Sequence, residues 1–374
     1  MKKLYKIIFL LIGVITALTL QGVKKSVEAS SVKPSVSANS YAIMDSKTGN
    51  ILMSQDIDKR IYPASTVKMM TAVLAAERGN LGQKITVTSK HLSGVPSDAT
   101  KLGLKVGSTY TLDELLHMVL LPSAADASEV VAHTISGSTS EFVRLMNAKA
   151  KELGMNSTNF DNTIGLDIGN NYHNTYSTAR DIAKLTAYVM KNSYIRKIVS
   201  KPTYKISSFN NGQSKTINNT NRFLSDKWYP SNLYTIIGTK TGSTNAAGYL
   251  LSATSVDANG REIICMFSGN STRDKMYSDM EKLLTYTYNN LTTNIGWVYE
   301  NGNWYYYDIN GKKKIGWLND NGTWYYLDTS GRMQTGWLND NGTWYHLESS
   351  GKMSTNTVID GWQIGEDGRA YLIA

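Results

Sequence analysis

Hydrophobic and polar positions fall into blocks along this 374-residue chain, and each block predicts an element. Tyr41-Ala42-Ile43-Met44 and Ile51-Leu52-Met53 are short apolar runs on either side of Lys47-Thr48-Gly49-Asn50, which predicts two strands joined by a turn. From Ser65 the period changes. Met69, Ala72, Val73 and Ala76 lie on one stripe of a helix that stops before Gly79. Thr111, with Glu114 three residues on, predicts a capping box for a second helix, which Pro122 ends. Residues 126–135 read as a third helix closed by Ser136-Gly137, and Ser177 opens another that runs through Leu185 to Met190. Residues 249–254 and 262–267 are apolar runs joined by Asn259-Gly260, a strong hairpin signal. Strands at both ends with helices between them predict an α/β body whose sheet unites its two ends.

After residue 294 a period of 20 takes over. Gly296-Trp297, Gly316-Trp317 and Gly336-Trp337 open successive units, each passing through Asn-Gly to Trp304, Trp324 or Trp344 and then to Tyr. A fourth unit around Gly361-Trp362 is degenerate. So short a unit cannot bury a core alone, whereas stacked units can, which predicts a β-hairpin solenoid.

Charge divides the chain in the same way. The formal charge of +9 splits into +4 for residues 1–29, +8 for 30–294 and −3 for 295–374, and seven of the eight tryptophans lie in the last part. Lys2, Lys3 and Lys6 precede an apolar run from Ile7 to Leu20, and small apolar residues follow around Val27 and Ala29. This is the pattern of a secretory signal peptide over 1–29. The run is shorter than the ~20 residues of a membrane span. The predicted order is therefore signal peptide 1–29, linker 30–40, an enzyme-sized domain 41–288, linker 289–294 and repeats 295–374, in an exported protein. Cys265 is the only cysteine, so no intrachain disulfide and no cysteine metal cluster can form; within Ile263-Ile264-Cys265-Met266-Phe267 it reads as a packed residue of a buried strand. No cluster of metal ligands is visible, and neither metal nor cofactor is expected. The basic residues of the body form no arginine-rich run, which argues against nucleic acid as a partner.

Three short motifs carry candidate chemistry. Ser65-Thr66-Val67-Lys68 opens the first helix, where positions i and i+3 share a face with Cβ atoms ~5–6 Å apart. A lysine buried near other cations loses its proton and can act as base toward a serine. Ser123 follows Pro122 in the gap between two helices, where a side chain can face a cleft. Lys240-Thr241-Gly242 is placed just before a strand, and its glycine lets a ligand approach the strand edge. A Ser-His-Asp hydrolase is disfavoured, because none of His91, His117, His133, His173 and His346 lies in a recognisable nucleophile elbow.

Ser-x-x-Lys, then Ser, then Lys-Thr-Gly is the constellation of penicillin-recognising serine acyl-transferases. Residues 41–288 resemble low-molecular-weight penicillin-binding proteins, specifically serine-type D-alanyl-D-alanine carboxypeptidases. The resemblance rests on Pro63-Ala64-Ser65-Thr66-Val67-Lys68-Met69-Met70-Thr71-Ala72, Met146-Asn147-Ala148-Lys149-Ala150-Lys151-Glu152-Leu153-Gly154, Ser177-Thr178-Ala179-Arg180-Asp181, and Lys240-Thr241-Gly242 through Ala247-Gly248-Tyr249. It implies a β-lactamase/transpeptidase-like α/β fold, an antiparallel sheet with a helical cluster. It implies removal of the terminal D-alanine from peptidoglycan stem peptides through an acyl-enzyme, with β-lactams as covalent inhibitors. Carried over residue by residue, Ser65 is the nucleophile, Lys68 its base, and Ser123 the relay of a proton to the leaving D-alanine. Lys240, Thr241 and Gly242 face the substrate carboxylate; Arg273, from its position just past the hairpin rather than from the resemblance, is a candidate second carboxylate partner. The N–H groups of Ser65 and Ser243 form the oxyanion hole. A class A β-lactamase would add a deacylating glutamate, and residues 156–162 contain none. One departure stands out. The family's middle motif is usually Ser-x-Asn, whose amide helps hold substrate and lysine, whereas here Ser123-Ala124-Ala125 precedes Asp126. Either Asp126 or water is expected to stand in for that amide, or activity is reduced, which keeps a catalytically weak penicillin binder in view. Endopeptidase or transpeptidase action on cross-links would use the same residues.

The tail pattern Gly-Trp-x-x-x-x-Gly-x-Trp-Tyr-Tyr resembles the choline-binding and cell-wall-binding repeats of exported proteins of monoderm bacteria. Aromatic cages attract quaternary ammonium ions, and a net charge of −3 suits a cation. By resemblance a site forms between consecutive hairpins from Trp297, Trp304, Trp317, Trp324, Trp337 and Trp344, with Tyr306 and Tyr326; His346 takes the tyrosine's place in the third unit. Teichoic-acid choline or another wall polymer is the expected partner.

Overall fold

The computed structural model describes residues 33–166, 174–225, 231–291, 296–308, 311–320 and 322–373. The predicted signal peptide, His173 and residues 292–294 of the predicted linker lie outside them.

The body is built on a five-stranded antiparallel sheet. Its strands are β1 (Ser40–Asp45), β2 (Ile51–Gln55), β3 (Thr235–Thr244), β4 (Gly248–Val256) and β5 (Glu262–Asn270), in the order β2-β1-β5-β4-β3. The expected closure between the two ends is the β1–β5 ladder, which pairs Tyr41 with Phe267 and Ile43 with Cys265. Alternation along β1 assigns its two faces. Ala42 and Met44 join the core under the helices, whereas Tyr41 and Ile43 join Cys265 and Phe267 under the last helix of the body, Arg273–Asn290. Cys265 is fully buried, and burial pushes its thiol pKa up.

The helical layer holds α1 (Lys68–Arg78), α2 (Leu112–Leu120), α3 (Ala125–Ser136), α4 (Thr139–Glu152) and α5 (Ala179–Lys191). The Thr111–Glu114 capping box closes in both directions at the start of α2. Three expectations need correction. The first helix does not begin at Ser65: Ala64–Val67 is a tighter 3-10 turn, with Ala64 at φ 45°, and the α-helix starts at Lys68. Ser177 does not open α5. It exchanges backbone hydrogen bonds with Ile61, and Thr178 caps the helix by accepting from Asp181 N–H. Lys240-Thr241-Gly242 lies inside β3 rather than before a strand. β3 is an edge strand of the sheet, and from Gly238 to Thr244 it holds only glycine, threonine, serine and lysine, so it carries no apolar alternation to read.

The repeats form three hairpins. Gly296–Glu300 pairs with Asn303–Tyr307, Gly316–Asp320 with Thr323–Leu327, and Gly336–Asp340 with Thr343–Leu347. Asn301 at φ 49° and Gly302 at φ 83° give the first turn both positive φ values, which is why Asn-Gly stands there. The degenerate fourth unit adds Thr357–Ile359, Trp362–Ile364 and Ala370–Leu372 to the third hairpin through Trp344 and Ala370. A staple recurs along the stack: Trp297, Trp317 and Trp337 donate their indole N–H to Asp320, Asp340 and Asp360 of the next unit at 3.0, 2.9 and 3.2 Å.

Candidate active site

Ser65, Lys68 and Lys240 meet where the turn before α1 abuts β3. Lys68 is 2% exposed, and its Nζ donates to Ser65 Oγ at 3.0 Å and to the Ile164 carbonyl at 2.8 Å. Burial pushes its pKa down to about 7, against the opposing pull of Glu129 and Asp126. An amine so placed can exchange a proton with Ser65 near neutral pH. Lys240 is also buried, and its Nζ donates to the Thr241 carbonyl at 3.0 Å. Burial and then the charge of Lys68 hold its pKa well below the usual value, and no ion pair among the described residues neutralises it. A carboxylate arriving beside this amine would favour its charged form and be held by it. Gly242 allows close approach: a Cβ there would stand 3.1 Å from the Ser65 amide nitrogen and 3.3 Å from the Pro63 carbonyl oxygen. Ser243, next along β3, is exposed and pairs with Tyr249.

Ser123 sits between α2 and α3 with φ at +66°, and its buried Oγ has no hydrogen-bond partner. A hydroxyl left unpaired at such a site is open to a bound ligand. Arg273 is exposed and stands 5.8 Å from the ring centre of Tyr249, which places it near Ser243. Thr220 and the turn at 162–166 were not foreseen. Thr220 Oγ1 shares a 2.6 Å hydrogen bond with Thr241 Oγ1. Gly165 presses on the turn carrying Ser65, where any Cβ would overlap the Ala64 carbonyl. No sequence spacing links residue 165 or 220 to residue 65; the chain brings them there only on folding.

In the repeats, Trp317 and Trp324 of the second hairpin and Tyr345 and Met353 of the next unit line a cavity of about 600 Å³, with Glu366 and Asp367 at its wall. The ring centres of Trp317 and Tyr345 are 4.7 Å apart, and those of Trp317 and Trp324 6.3 Å. Tyr345 was not among the expected residues, whereas Tyr326 packs on Trp317 within its own hairpin at 5.2 Å. In the unit before, Trp297 meets Tyr325 at 4.8 Å and Tyr306 at 5.3 Å, and Trp304 meets Tyr299 at 5.2 Å. In the unit after, Trp362 stands 5.6 Å from Trp337 and 6.2 Å from Trp344, and His346 lies 5.1 Å from Trp337.

Residues 26–272 match the family model of D-alanyl-D-alanine carboxypeptidase, Peptidase_S11. The chain belongs to this family. Residues 295–313 match a putative cell wall binding repeat and residues 314–357 a choline-binding repeat. The carboxypeptidase region is 33% identical over 261 residues to D-alanyl-D-alanine carboxypeptidase DacF of Bacillus subtilis, covering 68% of this chain and 63% of that protein. It is 31% identical over 237 residues to a D-alanyl-D-alanine endopeptidase of Escherichia coli, covering 62% of this chain and 71% of that protein. The crystal structure of the Streptomyces K15 DD-transpeptidase superposes with a TM-score of 0.61 at 31% identity, over 68% of this chain and 98% of that chain.

Where the carboxypeptidase family usually has Ser-x-Asn, the carboxylate of Asp126, one of the alternatives to the missing amide, makes its hydrogen bonds elsewhere. The Asp126 carboxylate accepts from the N–H groups of Leu102, Gly103 and Leu104 at 3.2, 2.8 and 3.0 Å, and clamps that loop instead. Ala125 is 1% exposed and packs with Ala99 and Ile164. The contact to the Lys68 amine comes from the Ile164 backbone.

Proposed function

We propose that this chain is an exported serine D,D-carboxypeptidase that removes the terminal D-alanine from peptidoglycan stem peptides and is held at the wall by its repeats. The observation that carries the reading is the buried Lys68 amine, with a pKa near 7, 3.0 Å from Ser65 Oγ. Lys68 takes the Ser65 proton as Oγ attacks the penultimate D-alanine carbonyl. The N–H groups of Ser65 and Ser243 stabilise the oxyanion. Ser123 passes a proton to the departing amine, and Lys240, Thr241 and Arg273 receive the terminal carboxylate. Water then hydrolyses the ester and frees Ser65. A strained β-lactam amide enters the same path and stops at the ester.

Fluorescent penicillin should label Ser65 covalently, and Ser65→Ala should abolish the label. Labelling that persists in a folded Ser65→Ala protein would remove the proposal. A second reading, cleavage of D,D cross-links, is favoured by the likeness to an endopeptidase. Release of D-alanine from a free pentapeptide, against cleavage of a cross-linked dimer, separates the two. In the tail, the cavity between Trp317, Trp324 and Tyr345 supports binding of the trimethylammonium group of wall choline.

A further inference from the structure

The lost asparagine of the middle motif leaves a mechanical question: what aims the Lys68 amine at Ser65. The Ile164 carbonyl is one anchor, and it lies on a turn of unusual completeness. Asn162, 9% exposed, accepts through Oδ1 from the N–H groups of Ile164 and Gly165 at 3.2 and 2.7 Å. Its Nδ2 donates to the Leu166 carbonyl at 2.9 Å and to Thr175 Oγ1 at 3.3 Å. Both donors and both acceptor positions of one amide are used. The neighbouring Thr163 ties this turn to two helices. Its carbonyl accepts from Thr71 Oγ1 of α1 at 3.1 Å, and its hydroxyl donates to Glu129 of α3.

We propose that Asn162 is a positioning residue for proton transfer at Ser65, shaping the turn whose Ile164 carbonyl holds the Lys68 amine and so supplying, at one remove, the amide contact that Ala125 cannot make. This rests on the reading of Ser65 and Lys68 given above. The site is otherwise closed to a direct amide. Ala125 and Ile164 fill the space between α3 and the turn with carbon, and Asp126 is committed to residues 102–104. The ionisable groups acting on Lys68 are Glu129 and Asp126 from α3 and, from β3, Lys240. Asn162 adds no charge to this set. It acts through geometry and through exclusion of water from the amine.

The test is acylation by a fluorescent penicillin followed by stopped flow from pH 5 to 9, separating the initial dissociation constant from the acylation rate constant. Asn162→Ala should leave the dissociation constant unchanged and lower the rate constant about tenfold or more, the scale of one lost hydrogen bond to a charged group. The pH at which the rate falls off should move above about 7, because a loosened turn lets water reach the ammonium. Thr175→Val, which removes one of the two acceptors of Nδ2 and leaves Asn162 in place, should move both readouts the same way by a smaller factor. A purely structural role predicts lower thermal stability with the wild-type rate constant and pH profile in the folded protein, and that result overturns the proposal. Should Asn162→Ala fail to fold, an unchanged rate and profile in Thr175→Val overturns it alone. A wild-type chain that is not acylated at Ser65 would instead remove the reading on which the proposal rests.

Discussion

An amine that is to take a proton from Ser65 must be neutral when it acts, and burial favours that form of Lys68. The price is paid in folding. A lysine whose folded pKa is lowered binds fewer protons folded than unfolded, so stability rises with pH across the window between about 7 and the ordinary lysine value of 10.5. Lys240 is buried in the same sense and adds to the effect. Two outcomes follow for Lys68→Met. Acylation by penicillin should disappear, and the melting temperature at pH 6 should rise, by about 2–4 °C per kcal/mol recovered in a domain of this size. In the wild type, the acylation rate should fall about tenfold per pH unit below the Lys68 pKa of about 7 and level off above it. A rate that stays flat down to pH 5 would show that Lys68 is not the group that must lose a proton.

At the scale of elements, the site is an edge strand, a 3-10 turn and the turn at 162–166 brought to one point. The elements read from apolar periodicity were legible. The strand pair at the start of the body, the capped α2 and the β4–β5 hairpin stand where the pattern puts them. β3 was not legible, because an edge strand that carries Thr239, Lys240, Thr241 and Ser243 in succession around Gly242 has no apolar alternation there. The motifs at 65–68, 123 and 240–242 could be picked out by spacing and resemblance. Asn162, Ile164 and Thr220 could not, since a backbone carbonyl and two side chains acting across distant segments leave no local pattern. The same packing decides what Ala125→Asn will do. Restoring the familiar amide would force it into the contact of Ala125 with Ile164, at a cost of about 1–3 kcal/mol for overpacking. The variant should melt lower than the wild type and acylate more slowly, because the displaced Ile164 no longer holds Lys68. Acylation at the wild-type rate or faster would show that the turn tolerates the amide and that Ile164 is not the decisive anchor.

For the whole molecule the question is how separately its two ends work. The repeats bind one unit to the next by indole–carboxylate staples and by backbone bonds such as Met353 N–H to the Trp324 carbonyl at 2.8 Å. Their aromatic cavity draws its lining wholly from residues 317–367, whereas Ser65, Lys68, Ser123 and Lys240 belong to the sheet and helices of the body. Damage to one should therefore spare the other. The full chain carrying Trp317→Ala and Trp324→Ala should keep its rate of penicillin acylation and lose retention on purified choline-bearing walls. Millimolar choline should elute the wild type, since a trimethylammonium ion in an aromatic cage is held by short-range attraction to ring faces. Moderate salt should elute it poorly, because that attraction is only weakly screened at contact. Glu366 and Asp367 at the cavity wall favour the same cation and disfavour a phosphate. If salt strips the protein from the wall and choline does not, the repeats hold a polyanion or a glycan, and the cage around Trp317 serves packing between units.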